Sequence, residues 1–82
     1  MLPVPVDYSR LAEKKRQSLL NEAKDITSDW KTELELGTIS DDDKARLTQW
    51  MAYIKAVKAL DLSQVSDESS FYLIQWPEKP DV

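Results

Sequence analysis

The side chains that could do chemistry in this chain of 82 residues are carboxylates, amines and hydroxyls, because the sequence has neither histidine nor cysteine. Those two residue types supply the commonest general base, the thiol nucleophile and most transition-metal ligands. Carboxylate pairs at helical spacing exist, such as Asp25 with Asp29, but a small helical element would hold them in solvent. The single glycine, Gly37, cannot make a glycine-rich phosphate loop. We therefore expect no enzyme and no cofactor or metal site.

The acidic triplet Asp41, Asp42 and Asp43 is the one cluster that invites a cation-binding interpretation. No EF-hand ligand spacing follows it. Ser40 with Asp43 instead matches the spacing of a helix capping box, and carboxylates in a first helical turn are favoured by the helix dipole. The triplet therefore predicts the beginning of a helix.

The charge distribution bears on possible partners. A net charge of −4 argues against nucleic acid, although Arg10, Lys14, Lys15 and Arg16 form a basic cluster. We interpret this cluster as a solvated helix face, with a contact for an acidic partner patch as the alternative and a nucleic-acid-binding hairpin as a weaker one. No apolar run approaches the roughly 20 residues that cross a bilayer, and the proline-broken N-terminus does not resemble a signal peptide. We expect no membrane association.

Apolar periodicity predicts an all-α fold in one small domain. A stripe at steps of three and four indicates a first helix over residues 7–37, with Asp7 as its N-cap and Gly37 ending it. A second amphipathic helix is predicted over residues 40–60, and the short connection makes the pair an antiparallel hairpin. The first stripe consists of Tyr8, Leu11, Leu19, Ala23, Ile26, Trp30 and Leu34, and the second of Leu47, Trp50, Met51, Ile54, Val57 and Leu60.

The two predicted helices differ in length, at about 43 Å and about 30 Å. The first helix should therefore overhang the second by about 13 Å at the end that carries Tyr8 and Leu11. Residues 1–6 form an extended lead-in, and residues 61–82 a polar linker followed by an extended tail. Residues 71–76 are apolar and β-prone, and an extended segment needs a neighbour for its backbone groups.

The tail has two possible neighbours, and the sequence leaves both open. It can lie as a strap on the overhanging helix, or it can contact another chain, and a homodimer could complete the hairpin. Trp76 suits either an intramolecular lid or an anchor in a partner's pocket. The candidate partner-binding residues are Phe71, Tyr72, Ile74, Trp76, Pro77, Tyr8 and Leu11.

Several stretches of the chain resemble the C-terminal region of caudoviral tail fibre assembly proteins. The resemblance rests on an ordered set of short motifs that extends from about Leu11 to Pro80. They are Leu-Leu-Asn-Glu-Ala at residues 19–23, Leu-Gly-Thr-Ile-Ser-Asp-Asp-Asp-Lys at residues 36–44, then Leu47, Trp50, Tyr53 and Leu60-Asp61, and an Ile-x-Trp-Pro-x-x-Pro ending at residues 74–80.

This resemblance implies a chaperone that helps the tail fibre of a phage or prophage to fold and trimerise. It implies no catalysis and no cofactor, a tail fibre protein as the partner, and a place in the cytoplasm of the bacterial host or at the fibre tip of the virion. Members of the family usually carry a further N-terminal domain, so we expect an excised domain or a truncated form. The alternative function is a structural homo-oligomerisation domain without chaperone activity of its own.

Overall fold

Two long helices pack side by side in a computed structural model that describes residues 6–80 of the chain. The elements are α1 (Tyr8–Leu36), α2 (Asp41–Ala59) and the short α3 (Glu68–Tyr72). Between residues 6 and 80 there is no β-strand. The predicted all-α hairpin is confirmed, in a rod-like molecule with extents of 58 × 23 × 18 Å. Of the lead-in expected at residues 1–6, only Val6 lies within the described residues.

Local side chains and one glycine set the bounds of α1. The Asp7 carboxylate accepts a hydrogen bond from the Arg10 backbone N–H at 3.1 Å, which satisfies one of the unpaired donors of the first turn. At the other end Gly37 has a φ of 72°, in the left-handed region. The N–H groups of Gly37 and Thr38 then donate to carbonyls of the last turn, at 3.2 and 2.9 Å, and close the helix in a Schellman arrangement.

The start of α2 follows the capping pattern only in part. The Ser40 hydroxyl accepts a hydrogen bond from the Asp43 N–H at 3.1 Å. The Asp43 carboxylate, expected to complete the box, instead binds Arg46 at 2.7 Å, because a charged partner one helical turn away competes for it. A reciprocal capping box does occur before α3, where Asp67 and Ser70 bond to each other's backbone N–H groups at 2.8 and 3.1 Å.

The core between α1 and α2 places large side chains of α2 against small ones of α1. Trp50 and Tyr53 pack edge-to-face with ring centroids 5.6 Å apart. They face Ala23 and the neighbouring Thr27, both fully buried. The Thr27 hydroxyl donates to the Ala23 carbonyl at 2.9 Å, so this buried polar group is satisfied within its own helix. Small residues on α1 therefore let the aromatic side chains of α2 lie close to its backbone.

The buried face of α1 is rotated from the predicted stripe. Ile26 and Leu34, which belong to the predicted apolar stripe, are exposed, and so is Leu11 on the overhang. Thr27, the next residue in the chain, is buried instead of Ile26, and the hydrogen bond within α1 satisfies its hydroxyl. The stripe therefore does not mark the buried face correctly at Ile26 and Leu34.

The turn at Gly37 generates a prediction about stability. Replacing Gly37 with alanine should lower the free energy of unfolding by about 1 kcal/mol, because a side chain is strained at positive φ even though no atom lies within 4 Å of the added methyl. Replacement with asparagine, which tolerates this conformation, should cost less. Urea denaturation of the two variants and the parent chain measures the difference, and equal stability of all three would contradict the argument.

Candidate interaction surface

α2 ends beside Arg16, and this contact defines where the overhang of α1 begins. The Arg16 guanidinium donates to the carbonyl of Leu60, the residue that caps α2, and also pairs with Glu13 at 3.1 Å. A cation at a helix C-terminus satisfies its free carbonyls and the negative end of the helix dipole. About 12 Å of α1 precede Arg16 and have no partner from α2.

A second hydrophobic cluster covers this overhang. Its buried residues are Ala12 on α1 with Leu62 and Val65 from the segment after α2. The partly buried residues packed against them are Tyr8, Leu60, Phe71, Ile74 and Trp76. The rings of Tyr8 and Phe71 lie 5.8 Å apart. The tail therefore returns to its own first helix, and the segment expected to be only a polar linker supplies two core residues.

From the cluster onward, residues 74–80 form an extended strap that runs along α1 in the same direction. The Lys15 ammonium lies 5.2 Å from the centre of the Trp76 ring. Two helical turns further on, Lys79 donates to the Glu22 carboxylate at 2.8 Å. Seven helical residues rise about 10.5 Å, and three extended residues span about the same distance. The strap thus contacts one face of α1 at two points that lie two helical turns apart.

Charged and polar groups of the strap, α1 and α2 influence one another. The hydrogen bond to Glu22 raises the pKa of Lys79. Burial raises the pKa of the Tyr53 phenol on α2, with nearby Lys79 acting in the opposite direction. The Tyr53 hydroxyl is buried and finds no hydrogen-bond partner among residues 6–80. Strap, α1 and α2 therefore meet at one junction.

Hydrogen bonds to two carboxylates hold the chain between the end of α2 and the first turn of α3. The Ser63 hydroxyl and backbone N–H donate to Asp61 at 2.5 and 2.9 Å and lower the pKa of that carboxyl group. Backbone and hydroxyl groups of Ser70 likewise lower the pKa of Asp67. Asp61 and Asp67 thus fix the backbone on either side of the buried Leu62 and Val65.

The candidate partner-binding residues divide into two groups. Tyr8, Phe71, Ile74, Trp76 and Pro77 are half-buried. Leu11 and Tyr72 are exposed, and Tyr72 keeps 74% of its surface accessible. Leu73, which the sequence did not single out, is 78% exposed. In the sequence, Leu73 does not stand out from the rest of its apolar run. Only the turn of α3 decides which of these side chains point outward.

A groove lies beside this exposed pair and has a volume of about 340 Å³. It is lined by Leu60, Asp61, Gln64, Val65, Ser70, Leu73, Ile74 and Gln75. We call Tyr72, Leu73 and this groove the strap-end surface. Its apolar walls and side-chain amides suit contact with a polypeptide.

Two observations limit other kinds of site within residues 6–80. No group of three or more acidic side chains is arranged to hold a metal ion there. None of the helices in that part of the chain is long and apolar enough to cross a membrane.

Comparison with known proteins gives the family. Residues 3–81 match the model for the family described as Caudovirales tail fibre assembly protein, lambda gpK. The chain belongs to this family. The tail fiber assembly protein U' of Escherichia phage Mu is 39% identical over 70 residues, which cover 85% of this chain and 36% of that protein. The U' protein of Escherichia phage P1 is 36% identical over the same shares of both chains.

A bacterial relative extends the comparison. The uncharacterized protein YfdK of Escherichia coli K12 is 28% identical over 85 residues, covering 99% of this chain and 54% of that protein. The chain thus spans about one third to about one half of the length of the curated relatives that it matches. No solved structure matches the chain.

The Arg16 contact generates a second prediction. Arg16→Ala should lower the free energy of unfolding by about 1.5–3 kcal/mol, the range for a hydrogen bond to a charged group, because it leaves the last carbonyl of α2 unpaired at the edge of the core. Arg10→Ala, at an exposed position of the same basic cluster, is the matched control and should cost under about 0.5 kcal/mol. Chemical denaturation measures both, and equal losses would show that Arg16 has no special role.

The carboxylates of Asp61 and Asp67 generate a prediction about the pH dependence of stability. Their folded pKa values lie below the unfolded value of 3.8, so the unfolded chain binds these protons more readily. The stabilisation is therefore fully present above about pH 4 and is lost as the pH falls through the lowered folded values. The melting temperature should fall below pH 4, and less steeply in Asp61→Asn/Asp67→Asn, where asparagine still accepts hydrogen bonds but does not titrate. Parallel curves for variant and parent would contradict this.

Proposed function

We propose that this chain is a module of a tail fibre assembly chaperone, which binds a phage tail fibre protein and assists its folding and trimerisation. It acts in the cytoplasm of the bacterial host through protein–protein contacts, without catalysis or a cofactor, and can stay at the fibre tip in the virion. Membership of the tail fibre assembly family supports the proposal. The names of the Mu and P1 relatives agree with it. Because the chain spans 36% of those proteins, the proposal concerns one module of the activity.

The observation that carries the proposal is the pair of adjacent exposed apolar side chains, Tyr72 and Leu73. Neither stabilises the described fold by burial, whereas Phe71 and Ile74 on either side pack into the second cluster. Exposed apolar groups beside a groove are typical of interaction sites, and a tyrosine in such a place is a frequent binding hot spot.

The groove suggests how a fibre segment could bind. An apolar side chain of the fibre can enter between Val65, Leu73 and Ile74, while Gln64 and Gln75 offer amide donors and acceptors to its backbone. A fibre chain that has not yet trimerised exposes both kinds of group. Binding there would shield them until a second and a third fibre chain replace the chaperone.

Co-expression with the cognate tail fibre protein tests this mechanism. Tyr72→Ser/Leu73→Ser should reduce the yield of soluble fibre trimer and weaken binding to the fibre by about tenfold or more, because hot-spot truncation typically costs over 1 kcal/mol. Leu36→Ser, at the opposite end of the rod and 70% exposed, is the matched control and should leave the yield unchanged. We expect both variants to remain folded, because all three positions are exposed. Thermal melts check this.

Two outcomes would overturn the proposal. An unchanged trimer yield with the double variant would exclude the strap-end surface from the chaperone contact. Light scattering that shows a dimer of the parent chain, and a monomer of the double variant, would assign the surface to self-association instead.

A further inference from the structure

The two long helices form two seams, and the strap covers only one of them. Glu22, which binds the strap through Lys79, is two residues from Lys24, or about 200° around α1. Lys24 therefore lies on the opposite side of the hairpin. There a groove of about 170 Å³ runs between α1 and α2, lined by Leu20, Lys24, Lys31, Ile54 and Lys58. We call this groove the lysine seam.

The lysine seam is positively charged in a chain whose net charge is −4. Three of its five lining residues are lysines, and none is a carboxylate. Within residues 6–80 the ion pairs belong to other cations, namely Arg16, Arg46 and Lys79. The three ammonium groups are thus available for an anionic partner along one line of the molecule.

The floor of the seam indicates the class of partner. Leu20 is only partly buried, whereas Ile54 belongs to the core with 7% of its surface accessible, so the lysines surround a narrow apolar strip formed by Leu20. Phosphates of nucleic acid would meet the charges but leave this strip uncovered. A polypeptide that carries both acidic and apolar side chains would satisfy both features, in the way that the strap does on the covered side.

We propose that the lysine seam binds an extended acidic segment of a partner protein. Its apolar side chains cover Leu20, and its carboxylates pair with Lys24, Lys31 and Lys58. Lys24 and Lys31 are two helical turns apart, about 10.5 Å, which three extended residues span. Acidic residues three positions apart therefore fit, with the same register that joins Trp76 and Lys79 to Lys15 and Glu22. This surface is separate from the strap-end surface, and the inference stands without the proposed function.

A synthetic peptide tests the inference on the full 82-residue chain. The probe is a fluorescent 12-residue peptide with glutamate at every third position and leucine and proline between, and fluorescence anisotropy at low salt follows its binding. We expect saturable binding, with NMR shift changes confined to the lysine seam. The same peptide with lysine in place of glutamate should not bind.

Charge reversal provides the matched comparison. Lys24→Glu/Lys31→Glu/Lys58→Glu should weaken binding of the acidic peptide by about tenfold or more, since each exposed pair contributes a modest free energy. The control variant Lys14→Glu/Lys44→Glu/Lys55→Glu has the same net charge, but its changes lie at exposed sites outside the seam. Its affinity for the peptide should fall by less than about twofold. If the first triple variant fails to fold by circular dichroism, Lys24→Gln/Lys58→Gln replaces it.

Several results would overturn the inference. Absence of peptide binding, or equal losses in the two triple variants, would show that the seam does not recognise acidic segments. Tighter binding of a DNA duplex than of the peptide would assign the lysines to phosphate recognition. Self-association that the first triple variant abolishes would make a second copy of this chain the occupant.

Discussion

The structure depends on the mismatch in length between its two long helices. α1 has 29 residues and α2 has 19, so the part of α1 that precedes Arg16, about 12 Å, lacks a helical partner. A two-helix hairpin is marginal in stability even when it is fully paired. The remaining chain therefore has to return and cover the overhang, and Arg16 marks the point where helical packing gives way to the tail.

The contacts that hold the tail differ in strength. The Lys15–Trp76 contact and the Lys79–Glu22 pair are both at the surface, where solvent screening weakens interactions of their kind. Burial of apolar side chains contributes more per residue, about 1.5–3 kcal/mol for a fully buried one. The second hydrophobic cluster thus attaches the tail, while the polar contacts determine its direction and register along α1.

Sequence reasoning recovered the features that depend on local chemistry. Helical periodicity identified the hairpin, Asp7 and Gly37 marked helix ends, and the difference in helix length indicated that the tail could return to Tyr8. It failed where a choice depended on the partner helix. Residues at steps of three and four define a broad face, and this spacing does not decide that Thr27 rather than Ile26 is buried.

Other features lay in segments whose composition was misleading. Leu62 and Val65 are isolated in a polar stretch, so no periodicity marked them as core. The apolar run at residues 71–76 looked β-prone, yet its first two residues end α3. The capping box of Asp67 and Ser70 begins a helical turn there, and local hydrogen bonds outweigh the weak preference of Phe71 and Tyr72 for strands.

That single turn of helix explains how one segment can both close the core and offer a surface. Phe71 and Ile74 are three residues apart, so they share a face that packs on the overhang. Tyr72 and Leu73 between them necessarily point away, and their exposure is a geometric consequence of burying their neighbours.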